Sequence, residues 1–168
     1  MPSEPEYWLR GPVPGVAAQL QPVAHALLQA RDDLAAATAP LTTDQLWESP
    51  AGAASVGFHL THVAGSLDRL LTYARGEQLT AGQFEALKAE NTAGQRRHDA
   101  ATLAKMVSDA VERALQQVRS TPAASLADER RVGRQGLAST VLGLLFHAAE
   151  HATRHAGQAI TTSKIVRG

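Results

Sequence analysis

Apolar residues recur every three or four positions along most of the chain, and alternating β-branched runs are missing. That periodicity predicts helices rather than strands. A first long helix is expected over 16–37, with Leu20, Val23, Leu27, Leu28 and Leu34 on its apolar side and Pro22 either kinking it or marking its true start. Pro40 ends it, and Thr42 or Thr43 caps a short turn carrying Leu46 and Trp47. After a loop at 49–52, Ser55 is the natural cap of a second helix. It runs to about Arg75, with Val56, Leu60, Val63, Leu67, Leu70 and Ala74 inward and Gly76 as its stop.

The stretch TAGQFEALKAE at 80–90 reads as a shorter connecting helix opened by Thr80, and 94–99 as a charged break. Asp99 or Thr102 then starts a third long helix through Arg119, burying Leu103, Met106, Val107, Ala110, Leu115 and Val118. Residues 126–136 form a polar loop with a short extended piece at Arg131 and Val132, and the last long helix covers 137–160. The ends are expected to be irregular. Residues 1–14 carry Pro2, Pro5, Pro12 and Pro14 and make an arm whose Tyr7, Trp8 and Leu9 fold back over the core, while 161–168 is a loose tail. Four long helices with one longer crossover predict an all-α chain: a four-helix bundle with a short extra connecting helix, in one domain over 1–168.

Composition narrows the chemistry. The 168 residues suffice for one core, and 16 Lys plus Arg balance 16 Asp plus Glu, so no electrostatic case for nucleic acid exists. Cysteine is absent, which removes disulfides, thiolate ligands and a cysteine nucleophile. The first residues are acidic and proline-broken, unlike a secretory signal, and no apolar run approaches the roughly 20 residues of a spanning helix. A soluble, cytoplasmic protein without a membrane partner is the expectation.

Against this plain background the histidines stand out. FHAAEHATRHAGQ at 146–158 holds His147, His151 and His155 at four-residue spacing, which places them along one side of a helix. A lone helical histidine is usually a surface or hydrogen-bonded core residue, but a row of three plus the pair His59 and His62 shifts the balance toward a metal site. At about 100° per residue, Leu137, Val141, Leu144, Ala148 and Ala152 form a stripe that contains His155 and borders His151. These two are the better chelating pair. His147 lies further out, as a rim or ligand-supporting residue, Gln158 shares the same side, and Glu150 points to solvent. In the second helix the periodicity favours His59 over His62 without settling the choice. Asp68 falls on another side, solvated or paired with Arg69 or Arg75.

Three neutral nitrogen donors suit Zn²⁺, Ni²⁺ or a similar divalent ion, and three protein ligands leave a position open for water or substrate. No Glu-x-x-His, HExxH, GxxxxGK[ST] or GxSxG occurs, which excludes a di-iron carboxylate bundle, a zincin, a phosphate loop and a nucleophile elbow.

On these residues the chain resembles the DinB/YfiT-like superfamily of metal-dependent four-helix bundles, whose site is built from three histidines. The family's helix-two histidine matches THVAGS and its closing His-x-x-x-His-x-Gly-Gln matches EHATRHAGQ. The resemblance therefore implies His62, His151 and His155 as ligands, with His59 as the alternative and His147 as the family's frequent extra histidine. Ala156 stands where the family often has arginine, and Arg154 is the neighbouring substitute. The resemblance further implies an enzyme acting on a small molecule. The metal would activate a low-molecular-weight thiol (S-transferase type) or water (hydrolase type). Homodimers are common in the family, and an apolar face at 71–79 or on the first helix would serve for pairing. The alternative is a non-catalytic metal-binding, stress-associated protein.

Overall fold

The computed structural model describes residues 4–168. Among them, four long helices make the body: α1 (Gln21–Thr38), α3 (Val56–Ala74), α6 (Ala100–Ser120) and α7 (Val141–Arg167). Short helices α2 (Thr43–Trp47), α4 (Ala81–Glu90) and α5 (Ala93–Arg96) occupy the connections. An antiparallel hairpin of β1 (Glu129–Val132) and β2 (Leu137–Thr140) leads into α7. Helix α7 packs on α1 and α3, and α6 closes the ring against the same two. Consecutive long helices therefore lie diagonally, α1 from α3 and α6 from α7. The chain crosses an end of the bundle between each pair, through α2 in one case and the hairpin in the other.

The apolar stripes meet along the axis, where Leu27, Leu34, Leu60, Leu67, Leu115 and Leu145 are fully buried. Each contributes on the order of 1.5–3 kcal/mol. The helices start where the caps predict. The side chains of Ser55, Asp99 and Thr140 accept from the backbone N–H three residues on. Thr42 with Gln45 and Thr80 with Gln83 form reciprocal capping boxes. Pro22 marks the true start of α1, following a 3-10 turn at Ala18–Leu20, rather than kinking a longer helix. Gly76, at φ 82°, closes α3 as the left-handed residue of a Schellman turn, with Glu77 N–H donating to the Thr72 carbonyl and Gly76 N–H to that of Tyr73.

Several expectations are corrected. The extended piece at Arg131 and Val132 belongs to a full hairpin, with Glu129 opposite Thr140 and Val132 opposite Leu137. Gly133 and Gly136, both at positive φ, frame its turn. Helix α7 consequently begins at Val141, and Leu137 is an exposed strand residue rather than part of the core stripe. The charged break at 94–99 is overlapped by the short helix α5. Of the three aromatic and apolar residues expected to fold back, Tyr7 docks, its hydroxyl donating to Asp32 at 2.7 Å, whereas Trp8 and Leu9 remain exposed. Residues 1–3 of that arm, with Pro2, lie outside the described residues.

The tail at 161–168 is not loose. Helix α7 continues to Arg167, with Thr162 and Ser163 buried. Ser163 Oγ donates to the Ala37 carbonyl at 2.7 Å, satisfying one of the orphan acceptors at the end of α1. Gln45 Nε2 donates to the Val166 carbonyl in the same way at the end of α7. Among the described residues, no helix is long and apolar enough to cross a membrane.

Ser163→Ala leaves that buried carbonyl unpaired and is expected to lower the unfolding free energy by about 1–2 kcal/mol, read by urea denaturation. An unchanged midpoint would mean that the last turns of α7 contribute nothing to the bundle.

Candidate metal centre

Helix α3 turns His59 and His62 toward α7, and the four-residue rise along α7 stacks His147, His151 and His155 beside them. The apposition of these two helices brings His62, His151 and His155 together. Each offers a ring nitrogen, and these nitrogens lie within 4.8 Å of one another. His62 Nε2 is 2.9 Å from His151 Nε2, and the His155 ring is centred 4.6 Å from that of His62 and 4.5 Å from that of His151. Phe58, one turn before His62, stacks nearly parallel on its imidazole with centroids 5.6 Å apart.

His59 is the more buried of the α3 pair, at 5% exposure, yet it stands beside the group rather than in it. Its Nδ1 lies 2.9 Å from His155 Nδ1, so it bears on the orientation of His155. His147 is exposed, its ring centred 5.5 Å from that of His151 and its Nδ1 3.4 Å from Glu150 Oε2. Gln158 is exposed and lines a cavity of about 720 Å³ together with Phe58, His59, Arg154, His155 and Ile165. Glu150, expected in solvent, is half-buried and pairs with Arg154. Asp68 accepts from Gln83 at 2.7 Å and pairs with neither Arg69 nor Arg75.

One pair beside the histidines is not marked by the sequence pattern. Glu90, the last residue of α4, is 5% exposed, and its Oε2 accepts from His62 Nδ1 at 2.7 Å. Arg69 grips the same carboxylate from α3, Nη1 to Oε1 at 2.5 Å and Nη2 to Oε2 at 3.3 Å. Arg69 follows His62 by seven residues and so shares its face, a signal the sequence did contain. Glu90 comes from another helix, and no local pattern marks it. Gly65 lies between them because a Cβ there would stand 2.2 Å from Glu90 Oε1.

Burial first, then the neighbouring His62 and His151, push the His155 imidazole down to about 4. Burial and then His62 also lower His151 and His59. These rings are therefore neutral near pH 7, with lone pairs available to a cation. Burial would raise Glu90, but the hydrogen bonds from His62 and Arg69 outweigh it and hold the carboxyl below its ordinary range.

The donor set fits a divalent ion. Two Nε2 atoms facing each other at 2.9 Å need a proton between them or a cation sharing both lone pairs. Ligand nitrogens at about 2.0–2.1 Å from a tetrahedral zinc stand roughly 3.4 Å apart, inside the span that these atoms cover. The other ring nitrogen of His151, Nδ1, is buried and has no hydrogen-bond partner among the described residues.

A family model described as the DinB superfamily matches residues 26–159. A crystal structure of a conserved protein from Enterococcus faecalis superposes with a TM-score of 0.71 at 20% identity, covering 89% of this chain and 97% of that one, and so shares its fold. No curated protein matches the sequence.

A pH dependence follows for the metal-free protein. A histidine lowered from 6.5 to about 4 binds fewer protons folded than unfolded between those values. Its contribution is present above pH 6.5 and is lost as pH falls toward about 4. The melting temperature of the metal-free protein should drop across this window, and His155→Gln should flatten the drop. Equal slopes in both proteins would contradict the buried, neutral state of His155.

Proposed function

The chain belongs to the DinB superfamily, and on that premise we propose that it is a metal-dependent enzyme acting on a small molecule. His62, His151 and His155 hold one divalent ion, zinc or nickel. The observation that carries this reading is the convergence of their ring nitrogens within 4.8 Å. Three imidazole ligands leave part of the coordination sphere free, as a catalytic site requires. An ion held there would lower the pKa of a thiol or a water molecule toward neutrality.

The surrounding residues divide the remaining tasks. With no cysteine in the chain, the nucleophile comes from outside, which favours a low-molecular-weight thiol or water. The cavity of about 720 Å³ beside His59 and His155 has the size of a small-molecule site. Phe58 and Ile165 offer it apolar surface, while Gln158 and Arg154 offer hydrogen-bond donors. Arg154 stands two residues before Ala156, the position at which the family often carries arginine, and its guanidinium is held by Glu150. Phe58 keeps the His62 ring in plane and shields one face of it from water.

Purified without a histidine tag and loaded with zinc, the protein should contain about one ion per chain, measured by mass spectrometry of the metal. His62→Ala and His151→Ala should each lose it, and His59→Ala should retain it. Retention in His62→Ala with loss in His59→Ala would transfer the α3 ligand to His59. Zinc-loaded protein should also conjugate a low-molecular-weight thiol to an electrophile, or hydrolyse an ester, at rates that the His151→Ala variant does not reach.

A further inference from the structure

Helix α4 is unusual in what it buries. Of its ten residues, Glu90 alone is buried, and it is an acid at the helix C-terminus. Local physics argues against that placement, because the negative end of the helix dipole disfavours a carboxylate in the last turn and burial costs its hydration. Tertiary partners must hold it. They are the Nδ1–H of the half-buried His62 and the guanidinium of the buried Arg69, both on α3. Gly65 supplies the space in which this contact is made.

From this arrangement we infer that Glu90 is the positioning residue of the metal centre, fixing the orientation and tautomer of His62, and that Arg69 fixes Glu90 in turn. An ionised carboxylate can only accept, so His62 must present its proton on Nδ1 and its lone pair on Nε2, the atom that faces His151. Hydrogen bonding to the carboxylate also makes the opposite nitrogen a better donor to a metal. Arg69 engages both carboxylate oxygens, so the plane of Glu90 is set from α3 while its backbone rides on α4. The role rests on the three-histidine reading above, and it carries a consequence that reading lacks. Helix α4 is attached to the metal centre through this carboxylate, so zinc binding and the docking of α4 favour each other reciprocally.

The test compares the wild-type chain with Glu90→Gln and Gly65→Ala, each titrated with zinc against a chromophoric chelator. Thermal melts of the zinc-free proteins report on folding. Glu90→Gln should weaken zinc binding by about 10–100-fold without changing the number of ions bound. Gly65→Ala should weaken it as well, since its Cβ displaces the carboxylate. Hydrogen exchange supplies a readout that a merely structural ion pair would not move: zinc should slow exchange over 84–90 in the wild-type chain and not in Glu90→Gln. Unchanged zinc affinity in both variants, or exchange in α4 indifferent to zinc in the wild-type chain, would overturn the role of Glu90 alone. Absence of zinc binding by the wild-type chain would overturn the three-histidine reading and this role with it.

Discussion

The site depends on the packing of α3 against α7. Helices whose small and apolar residues interlock can settle in only a few rotations about their axes. Val63 and Leu67 of α3 and Ala148, Ala152 and Ala156 of α7 are all buried. That rotation fixes where the imidazoles point. A turn of α7 by one residue, about 100°, would carry His151 and His155 away from His62 and dissolve the group. The hairpin serves the same constraint from the end of the bundle. Val141 N–H bonds to the Asp128 carbonyl and Leu142 N–H to that of Leu126, which pins the start of α7 to the segment before β1.

Bringing nitrogen donors together has an electrostatic cost. Neighbouring rings cannot all be protonated in a space that excludes water, and the lowered basicity of His151, His155 and His59 expresses that conflict. The fold resolves it in two ways. It keeps these rings neutral, and it places a single carboxylate, Glu90, against the far nitrogen of His62. Arg69 balances that carboxylate, so the buried group is a paired charge rather than a bare one. Removing one partner of such a buried pair typically costs about 3–5 kcal/mol, because it leaves the other charge buried and uncompensated.

Most of the frame was legible because it is local. Caps at Ser55, Thr80 and Asp99, the stop at Gly76 and the apolar periodicity of four helices are written within short windows. What periodicity misjudged is informative. It favoured His59 because it measures burial, and His59 is indeed the more buried histidine, but the ring that joins His151 and His155 is the half-buried His62. Burial and availability to a ligand are opposed demands, and the helical wheel reports only the first. Periodicity places Leu137 in the helix, because an apolar residue at the right interval does not reveal that its backbone pairs with Val132. The tail was misjudged because Thr161, Thr162 and Ser163 look polar, whereas Ser163 is buried by its bond to Ala37. Glu90 was invisible for a stronger reason: its partners lie 21 and 28 residues away on another helix.

The most direct test of the metal centre is the anomalous diffraction of zinc-loaded crystals, recorded on both sides of the zinc absorption edge. The expected result is one anomalous peak per chain between His62, His151 and His155, about 2.0–2.1 Å from a nitrogen of each, with His59 outside that shell. A peak elsewhere on the chain, or none at full zinc loading, would contradict the convergence of these histidines as the site on which the function depends.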